Sequence, residues 1–300
     1  MRVQFTLSPV SKKIVLPLNN NYSLTSLIYR IIRNSSEDYS RFLHDSGYTL
    51  GKSKKGFKLF TYSMLTGKRH RIDGDRIIFE NTHVQWQISS PVHDFIRHLV
   101  TGVFAEGQKI EIKTGSNSSS GLNGLNRFLI ERVETLPIPE FKETMKFTCL
   151  SPITVSKVAG SPTLGKGGEG GFYGKASEDS PRPLRERVRV RGDTEKLRCH
   201  YLRPWEDGFT EAIKNNLIKK YKLVHGKDIE ESEFKIKIDT DYMNRKSGKI
   251  TKNINFKGTN IIGFMAPFEV TGSPELIEIG YEAGFGEKGS MGFGMVKEIV

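Results

Sequence analysis

Cysteine is nearly missing from this 300-residue chain, which holds only Cys149 and Cys199. Two thiols cannot build a disulfide framework, and neither sits in the spacing of a metal site, so a pair of reduced, semi-buried side chains is expected. Long apolar runs are missing too. The best stretches, LIYRII and FIRHLVTGVF, are interrupted and fall short of the ~18 residues that a bilayer span requires. The N-terminus MRVQFTLSPV alternates polar and apolar residues and lacks the apolar centre of a signal peptide, which predicts a cytoplasmic protein with no membrane partner. No HExxH, paired Cys-x-x-C or GxSxG occurs, so a metal site and a serine nucleophile have no signature, and no metal or cofactor is expected.

What the chain has in excess is positive charge. Lys and Arg outnumber Asp and Glu by 46 to 34, a net +12, which favours a polyanionic partner. Residues 1–150 hold 21 basic and 13 acidic side chains (+8), and residues 151–300 hold 25 and 21 (+4). The excess is spread over both halves, as in a groove between two domains, and is not gathered in a tail.

The hydrophobic pattern gives the organisation. Val3, Phe5 and Leu7 alternate with polar residues and predict a strand over 2–8. Ser23 is a candidate cap for a helix with Leu24, Leu27, Ile28 and Ile31 on one face. A shorter helix starts at Ser35 or Ser36, buries Tyr39, Phe42 and Leu43, and stops near Gly47. Strands at 57–63, 75–80 and 84–89, a helix after Pro91, and strands at 108–113 and 126–134 complete a βαββαβ order. Pro137 and Pro139 mark a linker, 137–144. Beyond it come a strand at 145–150, a helix at about 205–224, and a strand with Phe234, Ile236 and Ile238 inward. Strands near 250–257 and 260–270, a helix opened by Ser273 and Pro274, and a strand from Met291 to Ile299 follow. The expected fold class is α+β, two tandem ferredoxin-like (RRM-like) domains over 1–136 and 145–300.

The segment at about 156–200 fits neither domain. Seven glycines fall within 160–174, and RPLRERVRVRGDTEKLR follows, with Arg185, Arg187, Arg189 and Arg191 at every second position. As a strand this segment would present one arginine face to phosphates; as a loop it would merely be solvated.

Two clusters could carry chemistry. In YEAGFGEKGSMGFGMVKEIV, Gly284, Gly286, Gly292 and Gly294 form two Gly-x-Gly steps around Lys288. They either let backbone N–H groups approach a ligand or close a tight helix-to-strand turn. Gly284, Gly286 and Gly289 satisfy G-x-G-x-x-G, but a helix precedes them and too little chain follows for a dinucleotide site. GGEGGFYGKAS is no P-loop, because Glu169 and Ala176 stand where glycine and a hydroxyl are needed. MGFGMVKE overlaps the RNA-recognition signature, with Met291 and Met295 replacing a basic and an aromatic residue. The second cluster lies at 29–58. Tyr29 projects away from the apolar stripe of the first helix, His44 lies off the buried face of the second, and Lys58 follows Lys52, Lys54 and Lys55. Spacing alone leaves these three between an ordinary surface and a site.

Tandem ferredoxin-like domains ending in GFGEKGSMGFGMV resemble the CRISPR repeat-processing endoribonucleases, which cut precursor CRISPR RNA within each repeat. NYSLTSLIYRIIR, FLHDSG and FKLFTYSML extend the resemblance over most of the chain outside 156–200. By position, Tyr29, His44 and Lys58 resemble that family's general acid–base trio. The resemblance implies metal-independent attack by a ribose 2′-hydroxyl, leaving a 2′,3′-cyclic phosphate and a 5′-hydroxyl. An imidazole can exchange protons near neutrality, an ammonium can stabilise the transition-state charge, and a phenol can orient or deprotonate the nucleophile. Which of His44 and Tyr29 is the base stays open. RNA contacts are expected at Lys52, Lys54, Lys55, Arg187, Arg189, Gly284, Gly286, Lys288, Gly292 and Gly294. The implied partners are repeat RNA and a CRISPR effector complex, with the protein a monomer or homodimer. The alternatives are a catalytically silent repeat-binding protein and an unrelated basic scaffold.

Overall fold

The computed structural model describes residues 1–51, 56–105, 107–113, 125–158, 199–230 and 233–299. The N-terminal half runs β1 (Arg2–Pro9), β2 (Lys13–Pro17), α1 (Asn21–Ser35), α2 (Glu37–Asp45), β3 (Thr61–Tyr62), β4 (Thr66–Gly67), β5 (His70–Asp73), β6 (Arg76–Glu80), β7 (Val84–Ser89), α3 (His93–Ala105), β8 (Lys109–Lys113) and β9 (Leu125–Thr135). The C-terminal half runs β10 (Thr144–Cys149), β11 (Ser156–Val158), β12 (Cys199–Tyr201), α4 (Phe209–His225), β13 (Lys235–Ile238), α5 (Thr240–Arg245), β14 (Thr251–Phe256), β15 (Thr259–Phe264), β16 (Phe268–Thr271), α6 (Pro274–Ala283) and β17 (Val296–Glu298).

Both halves are ferredoxin-like. The first sheet is ordered β3-β7-β1-β9-β8 and the second β13-β16-β10-β17, and every pairing is antiparallel. In each sheet the first strand lies between the third and the fourth, as the split βαβ plan demands. Helices α1 and α3 cross so closely that a Cβ on Gly102 would lie 1.9 Å from the carbonyl oxygen of Ile31. Among the described residues, no helix is long and apolar enough to cross a membrane. Cys149 is buried and Cys199 exposed, both as free thiols.

Val3, Phe5 and Leu7 are buried as their alternation predicts. Arg2, on the opposite face of β1, is buried as well. Its guanidinium donates to the carbonyls of Tyr281 and Val296, both at 2.8 Å, and lies 3.7 Å over the Tyr281 ring. The back of the first strand is thus covered by the C-terminal half.

Several expectations need correction. The first helix starts at Asn21, and the Ser23 hydroxyl donates to the Lys113 carbonyl at 2.6 Å instead of capping. Of the two serines expected to open α2, Ser36 is the cap, accepting from the Tyr39 N–H at 3.2 Å, as expected. Phe42 is 38% exposed. The strand at 75–80 pairs with β2, which the pattern did not reveal, and with β5 in a separate three-stranded sheet. Alternation defines a strand but not the sheet that it joins. Likewise, β14 and β15 form a hairpin outside the second sheet, over a small core of Ile254, Phe256, Ile261 and Phe293. Pro267, which has no N–H for a ladder, separates β15 from β16. The last strand shrinks to Val296–Glu298, because Gly292 and Gly294 take φ of +81° and +86° and Gly289–Met291 coil into a 3-10 turn.

Candidate active site

Helix α1 supplies one wall of the main cleft. Its apolar stripe, Leu24, Leu27, Ile28 and Ile31, faces the core and leaves Tyr29, Arg30 and Arg33 on the flank. Helix α2 folds back along that flank, held by the Ser40 hydroxyl donating to the Tyr29 carbonyl at 3.2 Å. Tyr29 is therefore half-buried, not outward as its helical angle suggests, and meets Phe60 edge-on at 6.3 Å. Burial pushes its phenol up to about 12, so it is protonated at neutral pH.

His44 sits in the last turn of α2, 73% exposed, with its ring edge-on to Tyr29 at 5.9 Å between centroids. Nδ1 lies 2.7 Å from the Asp45 carboxylate. With Nδ1–H donated there, Nε2 of the neutral ring is an acceptor. Gly47, at φ +65°, then ends the helix, its N–H bonded to the Phe42 carbonyl at 2.7 Å. A Cβ there would come within 2.5 Å of the Phe57 carbonyl oxygen. This close turn lets residues 48 and 57 bridge and carries Lys58 back beside His44, where Nζ donates to the His44 carbonyl at 2.9 Å. Burial lowers the Lys58 pKa, and Asp45 acts in the opposite sense.

The structure thus gathers Tyr29, His44 and Lys58 around one helix end. Tyr29 and His44 line a cavity of about 530 Å³, while Lys58 lines a second, of about 170 Å³; Ser290 borders both. The larger cavity is also lined by Arg30, Arg33, Arg41 and Lys257, which sequence reasoning missed. Arg30 and Arg33 could have been found from their place on the helix flank beside Tyr29. Lys257 could not, since it comes from the tip of the β14–β15 hairpin, where it lies 4.7 Å over the Tyr22 ring.

The glycine-rich run closes the other side. Gly284, Gly286, Gly292 and Gly294 are buried, all with φ between +81° and +87°. A Cβ on Gly292 would meet the Tyr62 ring and the Asn21 amide at 2.6 Å. Phe285 and Phe293 are wholly buried. The Gly292 and Gly294 N–H groups are spent on the carbonyls of Gly289 and Pro152. These glycines fit the run against the N-terminal half, where Asn21, Thr25 and Thr61 donate to the carbonyls of Met291, Ser290 and Phe293 at 3.0, 3.1 and 2.8 Å. What the run offers to a ligand is the partly exposed turn with Lys288, Gly289 and Ser290. Lys52, Lys54, Lys55, Arg187 and Arg189 lie outside the described residues.

Fold and cleft together define a tandem ferredoxin-like protein with a cationic groove where α1 meets a terminal glycine-rich run. The comparisons with known proteins agree. Residues 15–116 match the family described as CRISPR-associated protein Cas6, N-terminal, and residues 180–298 match CRISPR associated protein Cas6, C-terminal. The CRISPR-associated endoribonuclease Cas6 1 of Methanocaldococcus jannaschii is 28% identical over 95% of this chain and 88% of its own length. A Cas6nc protein of Pyrococcus horikoshii, named endoribonuclease-like, is 26% identical over the whole of both chains. The structure of a Cas6-related protein from Pyrococcus furiosus superposes with a TM-score of 0.72 at 24% identity, covering 100% of this chain and 98% of that one. The chain belongs to the Cas6 family.

Proposed function

We propose that this protein is a metal-independent endoribonuclease that cuts precursor CRISPR RNA within its repeats. The observation that carries the reading is the placing of a protonated phenol and an imidazole at the end of α2 in a groove lined by Arg30, Arg33, Arg41 and Lys257, with the Lys58 ammonium on the carbonyl of His44 at the edge of the neighbouring cavity. In this reaction the 2′-oxygen forms a bond to the adjacent phosphorus while the bond from phosphorus to the 5′-oxygen breaks. The 2′-hydroxyl proton passes to His44 Nε2, and a proton is returned to the 5′-oxygen, leaving a 2′,3′-cyclic phosphate and a 5′-hydroxyl. In this reading Tyr29, held in its neutral form by burial, serves as a hydrogen-bond donor, and His44 serves as the base. Lys58 stabilises the negative charge of the pentacoordinate transition state.

Further RNA contacts come from Lys288 and from Lys52, Lys54, Lys55, Arg187 and Arg189, while the four glycines seat the run that carries Lys288. The two ferredoxin-like domains, 1–136 and 145–300, joined through 137–144, grip the repeat between them, and a CRISPR effector complex receives the product. The name of the Methanocaldococcus jannaschii relative supports the activity class. The test is incubation of repeat RNA with the protein in EDTA. Cleavage yielding a cyclic phosphate, lost in His44→Ala, supports the reading. Tight binding without cleavage by the wild type would instead mean a silent repeat-binding protein.

A further inference from the structure

One ionisable group beside the groove has no part in that chemistry. Lys220, on α4, is 5% exposed, and its ammonium donates to the carbonyls of Gly284 at 2.6 Å, Gly286 at 2.7 Å and Ala283 at 3.3 Å. A lysine has three donors, and all three fall on the end of α6 and the first glycine step. The carbonyls of a helix's last turn lack partners within the helix, and Lys220 supplies one. Among the described residues no carboxylate bonds it. The charged groups facing it are Glu287 from the run itself and Lys58 and Lys288 across the smaller cavity. Burying a cation without a bonded counter-charge is costly, and an apolar residue would fill the space without that cost.

We propose that Lys220 is a positioning residue that ties residues 283–286 to α4 and so fixes the turn after them, where Lys288 and Ser290 meet the RNA. The tie is continuous. The Glu287 N–H bonds to the Thr154 carbonyl at 2.7 Å, and the Ser290 and Met291 carbonyls are held by Thr25 and Asn21 on α1. Without Lys220 the hold of α4 on residues 283–286 is lost while the Thr154 and α1 anchors remain, so the turn shifts and the core stays intact. The consequence for RNA rests on the endoribonuclease reading; the tie itself does not.

Burial lowers the Lys220 pKa from 10.5 to about 7, with Glu287 opposing the shift. Because the folded value lies below the unfolded one, the unfolded chain holds the extra proton between them, and stability rises with pH across that window. The neutral amine has one donor fewer and no charge, so the tie loosens over the same window. Global stability and local order therefore move in opposite directions.

The experiment measures amide hydrogen exchange of the full chain without RNA, and separately its affinity and turnover on repeat RNA, for wild type, Lys220→Met and Lys220→Arg. In Lys220→Met the amides of Phe285, Glu287 and Gly294 exchange about tenfold faster while those of β7 do not change. Repeat RNA then binds about tenfold more weakly with kcat within about twofold, and Lys220→Arg recovers most of the loss. In the wild type, exchange at the same amides, corrected for intrinsic rates, accelerates relative to β7 from about pH 6.5 to about pH 9 while Tm does not fall. Unchanged protection or unchanged affinity in a folded Lys220→Met overturns the proposal. Should that variant not fold, the wild-type series decides alone, and exchange that tracks β7 at every pH overturns it. A wild type that neither binds nor cuts repeat RNA removes the catalytic reading, whereas the exchange comparison still decides the tie.

Discussion

The two halves share one strand order and divide the labour. The N-terminal sheet carries α1 and α2, which present Tyr29 and His44, and the turn that returns Lys58. Among the described residues the C-terminal sheet presents no comparable trio; it sends the glycine-rich run and the β14–β15 hairpin across to complete the groove. Topology therefore does not decide where the candidate reactive groups lie; the path of the chain as it leaves a strand or helix does. In the first half a helix folds back on its predecessor. In the second, chain released after α6 is shaped by positive-φ glycines until it fits a foreign surface.

The sharpest way to break this division is to remove the imidazole. His44→Ala should lower single-turnover cleavage by roughly 10²- to 10⁴-fold with little change in Tm, since the side chain is mostly exposed. An unaltered rate would move the chemistry elsewhere. Next, Arg2→Ala strands two buried carbonyls and should cost about 3 kcal/mol in denaturant unfolding, which tests whether the halves unfold as one unit. Gly292→Ala, strained at its φ and pressed on Tyr62, should cost about 2 kcal/mol and weaken repeat RNA binding in step, although it touches no reactive group. Tyr29→Phe should slow cleavage by about tenfold with no change in the alkaline limb of the rate profile, because the phenol stays protonated up to about 12. The smallest effect is expected from Arg33→Ala, where binding should fall by about threefold and the slope of log affinity against log salt by about 0.7, as for one lost phosphate contact on a single strand.

Much of this architecture is legible in the residues alone. The stripe on α1, the alternation of β1 and β7, and the Ser273–Pro274 start of α6 are local signals, and each element forms where its own residues call for it. The trio is legible only through resemblance, because its convergence depends on the packing of α2 on α1 and on Gly47, both tertiary facts. Tyr29 shows the limit: its helical angle points off the core, yet a neighbouring helix covers it. The glycine run is visible as a motif and ambiguous in purpose; only its buried neighbours distinguish ligand approach from close fitting. Lys257 and the separate β2-β6-β5 sheet leave no local trace, since strand patterning says nothing about partners far along the chain.

The guanidinium of Arg2 bears on how a nucleic acid enters. It pins the opening strand of one sheet to the final strand and last helix of the other, so the spacing between the groove's walls is set before any guest arrives. Such a frame is a fixed gauge, and under the proposed function its selectivity should reside in the shape of the free RNA more than in any closing of jaws.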